Sequence, residues 1–335
     1  LQFGLGVDHG VEEDVVVVFA LLDDLGVEVV QGVAGGLVGA PRDTVYGLAA
    51  AATNHAAVAQ IYAAKKRPRF NPLIVHVIGL AQAETIAHLS PQARTLAEAF
   101  WPGPLSLVLP RRDTSGLSLL LSAGLDTVAI RAPAHPMMRA LIEASDRPLA
   151  APSANASGAV SPTTAEHVRD GLGEAVDLIL DGGPSPIGIE STIVKVDGDA
   201  ARLLRPGGLA RADLETRLGR ALLAPEETTA PEAPGMLHSH YAPTAMLRLH
   251  VEAPRPEEAY LAFGDAPAHP NSLNLSERRD TTEAAANLFA HLRALDALCR
   301  QKGLAGIAAA PIPEDGLGEA INDRLARAAA PREAD

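Results

Sequence analysis

The chain has 335 residues, of which 47% are hydrophobic and 21% are charged, and its formal net charge is −13. This length allows two domains, and the hydrophobic content is sufficient for well-buried cores. The acidic balance disfavours diffuse attraction to nucleic acid, and one Trp, four Tyr and six Phe leave little aromatic surface for stacking bases. We therefore expect any anion-binding site to be local.

Neither a membrane span nor a disulfide framework is expected. The apolar run from Val15 to Leu22 is short and flanked by acids, whereas a membrane-spanning helix needs about 20 residues. No basic leader region precedes it, so no secretory signal is predicted. The single cysteine, Cys299, excludes an internal disulfide and is interpreted as a helical packing residue rather than a nucleophile. These features predict a cytoplasmic protein.

The first half of the chain alternates strand and helix patterns, although residues 1–30 receive no assignment. Apolar residues at every second position indicate strands, and apolar residues three to four positions apart indicate helices. In chain order they predict a short buried strand in GGLVGAP, a helix from Asn54 to Lys65, a strand in PLIVHVIG, a helix from Pro91 to Phe100, strands in WPGPLSLVLPR and TVAIRA, and a helix from Met137 to Ser145.

A group of cations follows the first of these helices. Lys65, Lys66, Arg67 and Arg69 fall within five positions and include two of only four lysines, in a chain with 24 arginines. Arginine binds phosphate oxygens as a fork and lysine as a mobile point charge, so the mixture suits a polyphosphate with a reacting phosphorus. The alternative is a solvated basic turn.

Two further features predict anion binding. Arg131 lies inside the TVAIRA strand, where a buried cation needs a partner, either a protein carboxylate or the carboxylate of a ligand. Downstream, the SPTT segment has the composition of a helix start, with Ser161 interpreted as its N-cap. Backbone amides at such a helix start can bind an anion.

The remaining sequence predicts a domain boundary and a second α/β unit. DLILDGG and ESTIVKV are interpreted as a strand pair, and Arg205 precedes a glycine turn. The Pro/Glu/Thr-rich stretch from Leu223 to Pro234 is interpreted as a linker. The predicted domains are residues 1–222, a linker and lid over 223–244, and residues 245–335. The last contains strands in AYLAFG, SLNLS and GIAAAPI and helices from Thr281 to Gln301 and from Leu317 to Ala330.

Several common catalytic motifs are missing from the sequence. It contains no P-loop, no G-x-G-x-x-G after a strand, no C-x-x-C and no H-E-x-x-H. Ser153 lacks the G-x-S-x-G frame of a hydrolase nucleophile. His238 and His240 form the only close histidine pair, and an ordinary loop is favoured over a metal site there.

An ordered set of motifs resembles the YrdC-like threonylcarbamoyl-AMP synthase family. The motifs are DTVYGL, K-x-R-P-x-x-N-P-L, VAIRAP, APSAN-x-SG, SPTT, ESTIV, LRPG and SHYAP. They cover about residues 33–208, and the remainder resembles the longer two-domain form. The resemblance implies an α/β fold: a YrdC-like twisted open sheet with flanking helices and a concave cavity, plus a small Rossmann-like α/β C-terminal domain.

The resemblance also implies a reaction. Such enzymes join L-threonine, bicarbonate or CO2, and ATP into threonylcarbamoyl-adenylate and release pyrophosphate. Mg²⁺ is expected to accompany ATP, and no metal site built from the protein is expected. The intermediate would then pass to threonylcarbamoyl-transfer proteins that modify tRNA, so tRNA is an indirect partner and no membrane partner is expected.

The implied site residues fall into three groups. Lys65 and Arg67 would offset charge that develops on phosphate, and these are the predicted catalytic residues. The threonine pocket would contain Thr44, His76, Arg131, Ala151 and Ser191. ATP would be bound by Arg67, Asn71, Thr127, Ser153, Ser161, Arg205 and Tyr241. Since Tyr241 lies in the linker, the linker is predicted to close over the nucleotide as a lid.

This sequence departs from the family pattern in two places. Arg42 occupies the position directly after the proline of the first motif, where the family usually has Thr, and residues 1–30 match the expected leading helix poorly. Two alternative functions are considered. One is a non-catalytic RNA-binding module, and the other is a carbamoyl-adenylate transferase, although this chain lacks the length and cysteines of the hydrogenase-maturation proteins that perform that reaction.

Overall fold

The computed structural model describes residues 16–18, 27–226, 231–236 and 239–331. Most of residues 1–30, and His238 of the histidine pair, therefore lie outside the described residues. The described chain forms two α/β units, each built on its own sheet. In the described ranges, no helix is both long enough and apolar enough to cross a membrane.

The larger sheet has ten strands in the order β1-β8-β2-β3-β7-β4-β6-β5-β9-β10. It mixes parallel and antiparallel pairs, as β4 runs parallel to β6 and antiparallel to β7. The strands are β1 Val16–Val18, β2 Val38–Ala40, β3 Gly47–Ala51, β4 Ile74–His76, β5 Leu105–Pro110, β6 Thr127–Arg131, β7 Leu149–Ala150, β8 Leu178–Leu180, β9 Thr192–Asp197 and β10 Ala200–Arg205.

The predicted pairing of DLILDGG with ESTIVKV is wrong. The first forms β8, which pairs with β1 and β2 near one end of the sheet. The second forms β9, which pairs with β5 and β10 near the other end. The segment between them crosses the sheet, and strand patterning alone does not reveal which strands become neighbours.

Seven α-helices accompany this sheet in the described residues. They are α1 Val27–Gly35, α2 His55–Ala64, α3 Leu80–Ile86, α4 Pro91–Phe100, α5 Pro136–Ser145, α6 Ala165–Leu172 and α7 Arg211–Leu218. The prediction of α2 is confirmed: the Asn54 side chain accepts from the amides of Ala56 and Ala57, and the helix buries Ile61. The predictions of α4 and α5 are also confirmed, whereas α1, α3 and α7 were not predicted.

The N-cap predicted for the SPTT helix is wrong. Helix α6 begins three residues later than a Ser161 cap requires, and its N-cap is Thr164, which accepts from the amide of His167. Ser161 instead donates its hydroxyl to Glu190 at 2.5 Å. Several hydroxyl residues precede the helix, so composition located its start only approximately.

The smaller sheet is entirely parallel, in the order β11-β14-β12-β13. Its elements are β11 Leu247–Arg248, β12 Glu258–Ala262, β13 Ser272–Asn274, α8 Thr281–Lys302, β14 Gly306–Ala309 and α9 Gly318–Ala329. Asp280 caps α8 at its start, and Cys299 is buried within this helix. The predicted α/β fold with a second, smaller parallel-sheet unit is confirmed, although β11 was not predicted.

The two units share one apolar core. Val45, Val160 and Ile189 of the first unit are buried in the same cluster as the inner faces of α8 and α9. Polar contacts add to this packing, because Arg293 of α8 donates to the backbone carbonyls of Val160 and Ser161. The C-terminal unit therefore packs directly against the segments that precede α6 and β9.

Candidate active site

A narrow cavity lies where strands of the large sheet, the segment before β9 and the linker meet. Its volume is about 30 Å³, which is room for roughly two water molecules. Most of its lining side chains are polar or charged. The lining residues are Arg42, Thr44, Arg67, Ile74, Arg131, Ala151, Pro152, Ser153, Glu190, Ser191, Arg205, Pro234, Gly235, His240 and Tyr241.

Arg131 enters the cavity from the end of β6 and has a protein carboxylate as its partner. Its Nη2 lies 2.5 Å from Asp43 Oδ2, and both side chains are almost fully buried. Its Nη1 donates to Thr44 Oγ1 at 2.8 Å. Of the two partners predicted for a buried cation here, the structure contains the carboxylate. Five N–H groups on a guanidinium still leave donors for a ligand.

Arg42 occupies the neighbouring wall and contacts two groups predicted for the threonine pocket. Its Nη1 donates to the carbonyl of Ala151 at 2.6 Å and lies 3.0 Å from His76 Nε2. Burial, together with the charge of Arg131, lowers the pKa of Arg42 to about 9, so the guanidinium is cationic at neutral pH. Burial and the same two arginines hold the pKa of His76 well below its usual value, so the imidazole is neutral.

Arg67 and Arg205, two of the residues predicted to bind ATP, also line the cavity. Arg67 donates to the side chain of Asn71 at 2.6 Å and to the carbonyl of Pro72 at 2.8 Å. Arg205, at the end of β10, donates to the carbonyls of Ser191 at 2.8 Å and Pro234 at 3.0 Å. These neutral acceptors fix both guanidinium groups without neutralising them.

Charge compensation in the cavity is incomplete. Among the described residues, Arg42, Arg67 and Arg205 are in hydrogen bonds with neutral groups, and none is within ion-pair distance of a carboxylate. Three buried cations around one cavity are costly unless an anion joins them. The electrostatics therefore favour a ligand that carries several negative charges.

Glu190 is the carboxylate of the cavity wall, and the C-terminal unit holds it in place. Its two oxygens accept from Ser161 at 2.5 Å and from Arg324 Nε of α9 at 2.8 Å. Burial raises the pKa of Glu190, but the charges of Arg324 and Arg205 outweigh burial and lower it below its usual value. Glu190 is thus ionised, and its carboxylate is bound by a residue of the C-terminal unit.

The linker closes the cavity. The ring of Tyr241 packs on Phe289 with centroids 5.6 Å apart and lies under the guanidinium of Arg324. Its backbone has a φ of +61°, in the left-handed region that a tyrosine rarely adopts. Gly235 faces it, where an added Cβ would lie 2.6 Å from Tyr241 Oη and 2.8 Å from Arg205 Nη1. A side chain at residue 235 would therefore displace these groups, and the φ of +82° at Gly235 lies in the left-handed region that favours glycine.

Lys65 lies beside the cavity rather than in its wall. Its ammonium donates to the carbonyl of Ser153 at 2.5 Å and to that of Asn155, and the side chain is 1% exposed. Burial, followed by the charges of Arg67 and Arg42, holds the pKa of Lys65 well below its usual value. In the predicted cation group Lys65 and Arg67 are therefore buried, whereas Lys66 and Arg69 are exposed.

The structure brings together most of the predicted site. Eight of the predicted residues line the cavity: Thr44, Arg67, Arg131, Ala151, Ser153, Ser191, Arg205 and Tyr241. Five others lie outside its wall. His76 and Asn71 contact lining arginines, Lys65 and Ser161 bind groups next to it, and Thr127 begins β6 opposite Pro110.

Three titratable members of the cavity wall were not predicted as site residues from the sequence. Glu190 begins the quoted ESTIV motif but has no predicted role. From the sequence, Arg42 stands out only as a departure from the family pattern, and His240 only as one member of a histidine pair. Their positions depend on contacts with distant segments, so no local pattern identifies them.

No protein-built metal site is found within the described ranges: no three side chains from His, Cys, Asp and Glu are grouped suitably for an ion. The two carboxylates nearest the cavity, Asp43 and Glu190, are each engaged by an arginine.

The two adjacent lysines provide a matched test of the cation group. We expect Lys65→Ala to slow turnover by about tenfold, because the carbonyls of Ser153 and Asn155 lose their shared donor and Ser153 lines the cavity. Lys66→Ala should leave turnover unchanged, because Lys66 is exposed. Initial-rate measurements on both variants check this, and unchanged turnover in Lys65→Ala would contradict it.

The linker should be sensitive to acid. Burial lowers the pKa of His240 to about 3, so His240 stays neutral in the closed structure but is protonated below about pH 6.5 when exposed. Closure should therefore be stable above pH 6.5 and lose roughly 1 kcal/mol per pH unit as the pH falls towards 3. Hydrogen exchange of the linker amides at pH 7 and 5 measures this, and His240→Asn should reduce the difference.

Comparison with known proteins places this arrangement in a family. Residues 33–207 match the Sua5, YciO and YrdC family model, described as telomere recombination, and residues 209–330 match the model described as the threonylcarbamoyl-AMP synthase C-terminal domain. The crystal structure of Pyrococcus abyssi Sua5 complexed with L-threonine is similar, with a TM-score of 0.80 and 38% identity over 88% of this chain and 91% of that chain.

Curated relatives are similar over the same extent. The threonylcarbamoyl-AMP synthase of Bacillus subtilis is 40% identical over 316 residues, which are 88% of this chain and 90% of that protein. The synthase of Schizosaccharomyces pombe is 37% identical and covers 86% of this chain and 84% of its own length. The chain therefore belongs to the threonylcarbamoyl-AMP synthase family, in its two-domain form.

Proposed function

We propose that this protein is a threonylcarbamoyl-AMP synthase, a nucleotidyltransferase that joins L-threonine, bicarbonate or CO2, and ATP and releases pyrophosphate. The observation that carries the proposal is the narrow cavity, in which three buried guanidinium groups lack a carboxylate partner among the described residues. A triphosphate together with an amino-acid carboxylate supplies the missing negative charge.

Threonine is assigned to the Arg131 side of the cavity. Arg131 is held by Asp43 and Thr44, so its fork has a fixed orientation and retains free N–H groups for the α-carboxylate. Ser191, whose hydroxyl shares a hydrogen bond with Ser106 at 2.8 Å, is the hydroxyl partner on the other wall. A small zwitterion fits this combination of fork and hydroxyl groups.

ATP is assigned to the side formed by Arg67 and Arg205. Both guanidinium groups are buried and are held by neutral acceptors, which is the arrangement expected for groups that bind phosphate oxygens. Mg²⁺ would enter as part of the MgATP substrate and withdraw charge from the triphosphate. Asn71 and Ser153 fix the edges of this subsite.

The adenylation step needs no protein nucleophile. A carbamate oxygen of carboxylated threonine attacks the α-phosphorus, the new P–O bond forms, and the bond to the bridging oxygen of pyrophosphate breaks. Arg67 and Arg205 stabilise the charge that moves onto phosphate oxygens, and closed walls keep water from the labile carbamate. The protein therefore contributes position and electrostatics.

The linker would act as a lid in this reaction. The cavity of about 30 Å³ is far smaller than the roughly 300 Å³ or more of ligand pockets, so Pro234, Gly235 and Tyr241 must move for substrates to enter. Tyr241 links this movement to the C-terminal unit through its contacts with Phe289 and Arg324.

Tyr241→Phe tests whether the tyrosine hydroxyl binds the nucleotide. Tyr241 Oη is buried and has no hydrogen-bond partner in the described part of the chain, so its removal should not lower the free energy of unfolding. The Kd for ATP should rise about tenfold if the hydroxyl binds phosphate. Calorimetric titration with ATP and a thermal melt measure the two effects, and an unchanged Kd argues against the contact.

The central experiment is pyrophosphate release from MgATP and bicarbonate, with and without L-threonine. Threonine-dependent release, together with threonylcarbamoyl-adenylate detected by mass spectrometry, is the expected result. Serine and valine are matched controls, because each lacks one of the two γ-substituents of threonine. Release that is independent of threonine, or no release despite ATP binding, would contradict the proposal.

The proposal includes a cytoplasmic location and delivery of the product to threonylcarbamoyl-transfer proteins that act on tRNA. The RNA-binding alternative is not favoured, since it needs cations on an accessible surface. In this chain Arg42, Arg67 and Arg205 are instead only 3–7% exposed.

A further inference from the structure

We propose that Arg42 binds the incoming bicarbonate and then holds the carbamate carboxylate formed from it. This inference rests on the proposed function and deepens it, because it assigns the third substrate to a residue that departs from the family's usual threonine. Arg42 is part of the cavity wall, and its guanidinium lies beside the carbonyl of Ala151.

The position of Arg42 is built rather than incidental. Its Nε donates to the carbonyl of Val45 at 2.9 Å, and its Nη1 donates to Ala151 at 2.6 Å. The group lies against Gly47, where an added Cβ would come within 2.8 Å of Nε. Buried carbonyls and a glycine without a side chain thus hold the guanidinium in one place.

His76 completes this support as a neutral acceptor. Its Nδ1 is 3.2 Å from the carbonyl of Ile74, which cannot donate, so Nδ1 carries the proton. Nε2 then accepts from Arg42 Nη1 at 3.0 Å. The ring therefore orients the guanidinium without neutralising its charge, and His76 acts as a positioning residue.

Arg42 retains both charge and donor capacity towards the cavity. Its Nη2 makes only a long contact of 3.4 Å with the carbonyl of Tyr46, and one N–H of Nη2 has no assigned acceptor among the described residues. Arg131, by contrast, is neutralised by Asp43. With the threonine carboxylate assigned to Arg131, a second small anion beside threonine would therefore be drawn to Arg42.

The chemistry of carboxylation places the new anion at this point. The threonine ammonium first gives up one proton to solvent, and the neutral amine then attacks the carbon of bicarbonate, so an N–C bond forms and one C–O bond breaks. The hydroxyl leaves with an amine proton as water, and the product is –NH–COO⁻. If its N–H donates to Ala151, the carboxylate lies within reach of Arg42, which shares that carbonyl.

The same geometry predicts opposite effects on the two small substrates. Before carboxylation the threonine ammonium is a cation next to Arg42, and the two charges repel each other. After carboxylation the charge at this position is negative, so Arg42 attracts it. Removing the guanidinium should thus weaken binding of bicarbonate while leaving threonine binding unchanged or tighter.

Arg42→Thr, which restores the residue usual in the family, is the main test. We expect the KM for bicarbonate, measured in degassed buffers, to rise about tenfold or more, the size of one lost charged hydrogen bond. The Kd for threonine without bicarbonate should be unchanged or lower. Arg278→Thr makes the same substitution at an arginine whose side chain is 78% exposed and should alter neither constant.

The outcomes separate this inference from the proposed function. A bicarbonate KM that stays the same in an active Arg42→Thr enzyme overturns the inference, as does a rise confined to the threonine Kd. If the unaltered protein shows no threonine-dependent release of pyrophosphate, the proposed function is overturned instead. In that event, line broadening of ¹³C-bicarbonate by the unaltered protein but not by Arg42→Thr supports the site, and equal broadening overturns it.

Arg42→Lys guards against loss of folding in the threonine variant. It keeps the charge but loses the fork, so an intermediate bicarbonate KM is expected. Calorimetric titration with ATP on each variant reports whether the cavity is intact. The inference is overturned if Arg42→Lys binds ATP normally and both Arg42→Lys and Arg42→Thr have the same KM for bicarbonate as the unaltered protein.

Discussion

Replacing Arg131 by methionine is expected to abolish threonine-dependent pyrophosphate release and to lower the free energy of unfolding by about 3–5 kcal/mol. The substitution removes the fork assigned to the threonine carboxylate. It also leaves Asp43 as an unpaired buried carboxylate, since Arg131 Nη2 lies 2.5 Å from Asp43 Oδ2 and both are almost fully buried. Urea unfolding and the pyrophosphate assay measure the two losses separately.

The double variant Asp43→Asn with Arg131→Met is the control that separates them. Removing both charges should restore much of the stability, because the uncompensated carboxylate is gone. Activity should remain absent, because the fork is still missing. An Arg131→Met enzyme that releases pyrophosphate in a threonine-dependent manner would contradict the role of Arg131.

Local sequence patterns predicted the elements of this fold well. Helix α4 occupies the predicted Pro91–Phe100, since Ser90 caps it and the proline stands at its first position. Short or weakly patterned elements were missed. Strand β11 has two residues, and α3 has seven and no side-chain cap, so neither carries enough periodicity to detect.

Site residues could be predicted where the local sequence pattern marks them. They could not be predicted where their role depends on a partner that is distant in the sequence. Arg131 stands out as a cation inside an apolar strand, and the structure pairs it with Asp43. Glu190 has no such local signal, since its importance comes from Arg324, which lies 134 positions away. Contacts of this kind depend on how two domains pack, which a single sequence does not specify.

We expect the second large effect from Arg324→Met, which removes the partner of Glu190. This substitution should lower both the stability of the protein and its affinity for ATP. Arg324 is fully buried, donates to Glu190 at 2.8 Å, and lies 5.0 Å above the Tyr241 ring. Its loss would leave the charged Glu190 without an ion-pair partner from the C-terminal unit. The free energy of unfolding should therefore fall by about 3–5 kcal/mol. Because Glu190 and Tyr241 both line the cavity, the Kd for ATP should also rise.

A second interdomain ion pair provides the matched control. Arg211 of α7 pairs with Glu319 of α9, but both side chains are about one-third exposed, so Arg211→Met should cost less than about 1 kcal/mol and leave the Kd for ATP unchanged. Urea unfolding and calorimetric titration with ATP compare the two variants. Glu190→Gln combined with Arg324→Met should recover stability without recovering ATP affinity. If Arg324→Met instead behaves like Arg211→Met, the C-terminal unit does not control the active site through this pair.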